Sequence, residues 1–164
     1  MLDIYDVNHM KTGKIIQRGE ALLEDEFQLA ACIVILNHNR EFLVTQRHPK
    51  KQMGLYWEIP GGAVESNEKS EVAAIRELHE EIGIAVEVSE LEFIGTTVYA
   101  PLHLLIDSYL IIKEVKLSRL VLQEEEVIAT RFMHFNEIKK YRLEGKFTPF
   151  DYEVCKKLQQ KITD

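Results

Sequence analysis

Three glutamates, Glu77, Glu80 and Glu81, fall within one five-residue stretch. On a helix that advances about 100° per residue, Glu81 lies about 40° to one side of Glu77 and Glu80 about 60° to the other, so the three share one arc of roughly 100°. Such a cluster is unfavourable by itself. Like charges one turn apart destabilise an isolated helix by about 0.2–0.5 kcal/mol per pair, and the last turn of a helix disfavours negative charge. A divalent cation would offset both effects, and clustered carboxylate oxygens are hard ligands suited to Mg2+ or Mn2+. The bland alternative is a hydrated acidic face. Gly61-Gly62, one helix-length upstream, weighs against it by offering backbone groups to the same ion or to a phosphate. The run His79-Glu80-Glu81 is not a zinc-protease helix, because the second histidine that pattern needs falls at Gly83.

The elements that position these residues are legible. Residues 68–82 are predicted to be helical, with Ser66 or Asn67 as cap and Gly83 as stop. Ile75, Leu78 and Ile82 form a separate stripe, about 100–160° from Glu77, that would bury against a sheet. Trp57-Glu58-Ile59-Pro60-Gly61-Gly62 is predicted to turn tightly. Strands are predicted at 28–36, 42–46, 84–88, 91–99, 104–115 and 128–135, and residues 2–7 are expected to pair with 14–18 through the turn Asn8 to Gly13. Two helices close the chain, one over 136–144 capped by Asn136 and an amphipathic one over 150–162. This order is mixed α/β, not repeated βαβ.

Length and charge narrow the function classes. A chain of 164 residues is expected to form one domain over 1–164, with 1–27 as an N-terminal hairpin packed on it. Twenty Lys and Arg against 27 Asp and Glu give a net charge of −7, which provides no overall attraction to nucleic-acid polymers or anionic membranes. The longest apolar runs, such as Leu29 to Leu36, are far short of a membrane span, and the start MLDIYDVNHMKTG has no secretory-signal core. Cys32 and Cys155 match no metal-ligand spacing and read as free thiols, so a cytoplasmic location is expected.

The pattern Gly62, five residues, Glu68, seven residues, Arg76-Glu77-Leu78, one residue, Glu80-Glu81, one residue, Gly83-Ile84 resembles the Nudix box at every defined position over 23 residues. Trp57-Glu58-x-Pro60-Gly61-Gly62 and Gln46-Arg47 are similar to its usual flanks. The resemblance spans about residues 28–140. It implies an α/β/α sandwich around a mixed sheet and a metal-dependent hydrolase of a nucleoside diphosphate linked to another moiety. It also implies roles. Glu77, Glu80 and Glu81 look like ligands of Mg2+ or Mn2+, with the Gly62 carbonyl as backbone ligand. Glu68 and Arg76 look like a structural pair. A further carboxylate comes from a later loop in such proteins, for which Glu126 is the first choice here and Glu125 the second; either Glu77 or Glu126 would serve as base.

Arg47, Lys50 and Lys51 precede the Gly-Gly loop and are candidates to bind a diphosphate, the alternative being a solvated loop. Trp57 is a candidate to stack on a base, the alternative being a core position. The expected partner is a small diphosphate substrate, with no nucleic-acid polymer and no membrane; a homodimer is a possible assembly.

The first half also resembles isopentenyl-diphosphate isomerase-like members through Tyr5-Asp6, Gly13, Arg18-Gly19-Glu20 and Gln46-Arg47. The isomerase places a cysteine shortly after the equivalent tryptophan, whereas residues 57–63 contain none. The other alternative is a catalytically idle nucleotide-binding module; such modules lose box glutamates, and all are present here.

Overall fold

The computed structural model describes residues 1–163. At the N-terminus, β1 (Leu2–Tyr5) and β2 (Lys11–Ile16) form an antiparallel pair of their own. The main sheet is mixed. Its central strand, β3 (Gln28–Leu36), runs parallel to β8 (Leu104–Ile112) over nine paired positions, and β8 pairs antiparallel with β7 (Glu92–Tyr99). On its other side β3 meets β4 (Phe42–Arg47) only at Leu36 and Phe42. The two strands then take separate partners. β6 (Gly61–Ala63) pairs with β3, while β5 (Trp57–Glu58) and β9 (Val127–Met133) pair with β4. The sheet is therefore open between β3 and β4.

Both faces of β3 are buried, which explains its nearly continuous apolar sequence. Leu29, Ala31, Ile33 and Ile35 pack with Ala73, Ala74, Leu78 and Ile82 of α1 (Ser70–Ile82). Cys32, Val34 and Leu36 belong to the opposite cluster, with Ile138 of α2 (Phe135–Leu143) and Val154, Cys155 and Leu158 of α3 (Pro149–Thr163). Alternate side chains of one strand thus face two helical layers, giving an α/β/α sandwich. Among the described residues, no helix is long and apolar enough to cross a membrane.

Several local expectations are corrected. Residues 84–88 are not a strand; they lead into a single 3-10 turn at Val88–Glu90. Ile84 and Val86 are buried in the α1-side cluster, so their alternation reflects packing without a partner strand. Helix α1 starts at Ser70 with Lys69 at the cap position and has no side-chain cap; Ser66 and Asn67 lie upstream of it, where the Ser66 hydroxyl and the Asn67 N–H donate to Asp3 of β1. Helix α2 is capped by His134, in a reciprocal box with Glu137, and Asn136 lies inside it. Gly83 ends α1 in the left-handed conformation, as expected.

Candidate active site

The opening between β3 and β4 becomes a cavity of about 430 Å3. Helix α1 is one wall. Its apolar stripe is held on β3, which turns the opposite face, bearing Glu77, Glu80 and Glu81, toward the cavity. Gly61 and Gly62 form another wall, paired in register with Cys32 and Ala31 of β3. The third wall is the loop before β9. Val121 N–H donates to the Ile82 carbonyl at 3.2 Å and Gln123 N–H to the Glu81 carbonyl at 2.9 Å. These contacts satisfy carbonyls left free at the helix end and bring Gln123 and Glu126 beside Glu81.

Arg76 organises the acidic face. It donates to both Glu68 oxygens at 2.8 and 3.0 Å, to Glu77 Oε1 at 2.9 Å, to the Ala63 carbonyl at 3.2 Å, and weakly to Glu80 at 3.4 Å. The Arg76 hydrogen bond draws the Glu68 carboxyl below its ordinary range. Burial raises the Glu77 carboxyl against the pull of Arg76. Glu80 is the exposed member, with 47% of its side chain accessible.

Glu81 is different. It is only 9% exposed and its carboxylate has no hydrogen-bond partner among the described residues. Burial first, then the charges of Glu58 and Glu77, push its carboxyl well above the usual range against the pull of Lys51. With Glu77 and Glu80 turned to Arg76, no three acidic, histidine or cysteine side chains chelate a common point among the described residues. The donor set nevertheless fits a hard cation: three carboxylates, one of them largely enclosed and open to the cavity without a hydrogen-bond donor, beside a glycine whose missing side chain leaves Glu77 its space.

The remaining expected residues divide. Arg47 and Lys51 line the cavity, but each is already matched: Arg47 with Glu58 at 2.9 Å, and Lys51 with Glu126 in a direct ion pair. Lys50, Glu125 and Trp57 are not among the lining residues. Trp57 is 8% exposed within the α2–α3 core cluster, and the Arg131 guanidinium sits over its ring at 5.7 Å. The structure places it in the core, not at the cavity. Cys32 does reach the cavity wall, but burial pushes its thiol far above the ordinary range.

The cavity is also lined by Arg18, Glu58, Gln123 and Asp151, polar residues to which the sequence assigned no role in the site. Asp151, at the start of α3, is 4% exposed and accepts from Ile59 N–H at 3.0 Å and the Thr148 hydroxyl at 3.2 Å. Burial, then the nearby Glu58, push its carboxyl up to about 8. Glu58, beside the Pro-Gly-Gly run, carried a signal in the sequence. Asp151 carried none, since it meets Ile59 across 92 residues of chain.

Residues 26–158 match the NUDIX domain family. An uncharacterized Nudix hydrolase of Listeria monocytogenes is 34% identical over 153 residues, covering 90% of this chain and 88% of that protein. The 8-oxo-dGTP diphosphatase of Proteus vulgaris is 48% identical over 61 residues, covering 37% of this chain and 54% of the relative. Among solved structures, DR0079 from Deinococcus radiodurans superposes with a TM-score of 0.73 at 19% identity, over 93% of this chain and 95% of that one, which is a likeness of fold. A complete box, the cavity it faces and a family match over most of the sequence lead to one assignment: the chain belongs to the Nudix hydrolase family.

Proposed function

We propose that the cavity hydrolyses the diphosphate linkage of a nucleoside diphosphate derivative or a related small diphosphate, with Mg2+ or Mn2+ bound. The observation that carries this reading is the Glu81 carboxylate, which belongs to a residue only 9% exposed, accepts no hydrogen bond from the described residues and opens onto the cavity beside Glu77 and Glu80. A carboxyl so enclosed beside other carboxylates resists ionisation, and a divalent ion at this face would favour its charged form. Glu77, Glu80, Glu81 and the Gly62 carbonyl would hold it. When bound, the ion would neutralise phosphate oxygens and acidify a water.

The protein's own groups supply position and proton acceptance, which suits phosphoryl chemistry, where positioning and electrostatics do most of the work. Arg76 ties Glu68, Glu77 and the Ala63 carbonyl into one unit, so the helix and the Gly-Gly loop keep a fixed separation. Glu126 faces the box glutamates and accepts from Lys51, and Glu77 or Glu126 would take the proton of the attacking water. A diphosphatase among the relatives supports the reaction class. Free, buried cysteines suit a cytoplasmic protein.

The test is hydrolysis of a panel of nucleoside diphosphate sugars, (d)NTPs, dinucleoside polyphosphates and coenzymes with Mg2+ or Mn2+. Phosphate-containing cleavage products that vanish on chelation support the reading. Binding without turnover across the panel would replace it with an idle nucleotide-binding module.

A further inference from the structure

Among the described residues, seven carboxyl groups but only four cationic side chains line the cavity. Three of those cations are matched: Arg47 to Glu58, Lys51 to Glu126, and Arg76 to Glu68 and Glu77. The fourth, Arg18, makes no ion pair and no side-chain hydrogen bond among the described residues. A diphosphate entering this acidic surround therefore meets a single uncommitted guanidinium.

The chain around Arg18 is built to hold it there. Ile16, at the end of β2, is buried with Leu2, Ile4, Leu22 and Ala63. The turn that follows is closed by Glu20, whose carboxylate accepts from Gln17 N–H at 2.6 Å and whose N–H donates to the Gln17 carbonyl at 3.2 Å. Gly19 completes the turn at φ 93°, a conformation that favours glycine. The hairpin is in turn strapped to the loop that precedes α1. Ser66 N–H donates to the Met1 carbonyl at 2.9 Å and the Ser66 hydroxyl to Asp3 at 2.9 Å. The N-terminal hairpin and the box loop are thus joined by hydrogen bonds, and the positive charge of Arg18 reaches Glu77.

We propose that Arg18 is a substrate-binding residue: its guanidinium grips the phosphate oxygens of the diphosphate across from Glu77, making the N-terminal hairpin a part of the active site. A guanidinium presents paired donors that match two phosphate oxygens, which a lysine ammonium cannot reproduce in full. The proposal rests on the reading of the cavity as a diphosphate site, and it assigns to the hairpin the part of recognition that the box residues leave open.

The experiment is calorimetric titration of the full chain with adenosine 5′-(α,β-methylene)diphosphate, an uncleavable diphosphate, in Mg2+. Wild type, Arg18→Ala and Arg18→Lys are compared, with melting temperature and Mn2+ binding measured on each. Arg18→Ala is expected to weaken binding by at least about tenfold, and Arg18→Lys to recover part of it. Melting and Mn2+ binding should not change. On any cleaved substrate, KM should rise more than kcat falls. Equal affinity in wild type and Arg18→Ala overturns the proposal. So does a loss of binding that tracks a fall in melting temperature, because that is a structural role. If wild type binds the analogue through Arg18 but cleaves nothing in the panel, the hydrolase reading fails and the Arg18 assignment stands. If wild type binds no diphosphate, both fall.

Discussion

Gly62 lies so close to Glu77 that a β-carbon at position 62 would stand 2.6 Å from Glu77 Oε1. The glycine is needed for the space it leaves, since its backbone is not in the left-handed region. Gly62→Ala is therefore expected to displace the Glu77 carboxylate while leaving the strand pairing of β6 intact. A misplacement of this kind costs about 10²-fold in rate, with little change in melting. Its neighbour should behave in the opposite way. A β-carbon at Gly61 would stand 2.8 Å from Cys32 Cα, within the β3–β6 pairing itself. Gly61→Ala is expected to destabilise the fold by about 1–3 kcal/mol. Denaturation and turnover of the two variants check this; equal melting of both would contradict it.

Arg76 is the single donor shared by Glu68, Glu77 and the Ala63 carbonyl. Arg76→Ala is expected to lower stability by about 1–3 kcal/mol and to lower activity as well. Arg76→Lys should restore only part of either, because an ammonium cannot span the same partners. Normal turnover with unchanged melting in Arg76→Ala would show the network to be decorative.

The helix that carries the glutamates was legible in the sequence because a 3.6-residue apolar stripe and a glycine stop are local signals, and the box spacing fixed which face mattered. The burial of Glu81 was not legible. It comes from the loop at 121–126, which docks on the helix end through backbone groups that have no sequence signature. Ser66 and Asn67 have types that favour caps, but the helix begins later, with Lys69 at the cap, and the two residues bind a distant Asp3 instead. Trp57 had the chemistry of a stacking residue, yet it lies in the core beside a helix pair that begins 78 residues further along the chain, at Phe135. The short strands β5 and β6 are too brief to show any period, and they exist because β3 and β4 diverge.

Asp151 gives the protein a definite pH dependence. Its carboxyl rises from 3.8 to about 8 through burial and the neighbouring Glu58, with Arg47 opposing. The folded state thus holds the proton more tightly than the unfolded chain does. Its contribution to stability is complete below about pH 4 and is lost as pH rises toward about 8. Asp151→Asn keeps an oxygen for Ile59 N–H and Thr148 but cannot ionise. The variant is expected to lose less melting temperature than wild type between about pH 5 and pH 8. Parallel melting curves across that window would contradict the assignment.

The central claim is that Glu81 belongs to a cation site that drives diphosphate hydrolysis. It is tested most directly by measuring Mn2+ affinity and turnover together in wild type, Glu81→Gln and Glu71→Gln. Glu71 lies on the same helix but does not line the cavity. Glu81→Gln is expected to lose Mn2+ affinity and at least about 10²-fold in turnover, while its metal-free form melts at the same or a higher temperature because a carboxyl crowded by Glu58 and Glu77 is gone. Glu71→Gln should match wild type in both measurements. Turnover that survives exhaustive chelation, or a Glu81→Gln variant with full Mn2+ affinity and full rate, would contradict the account.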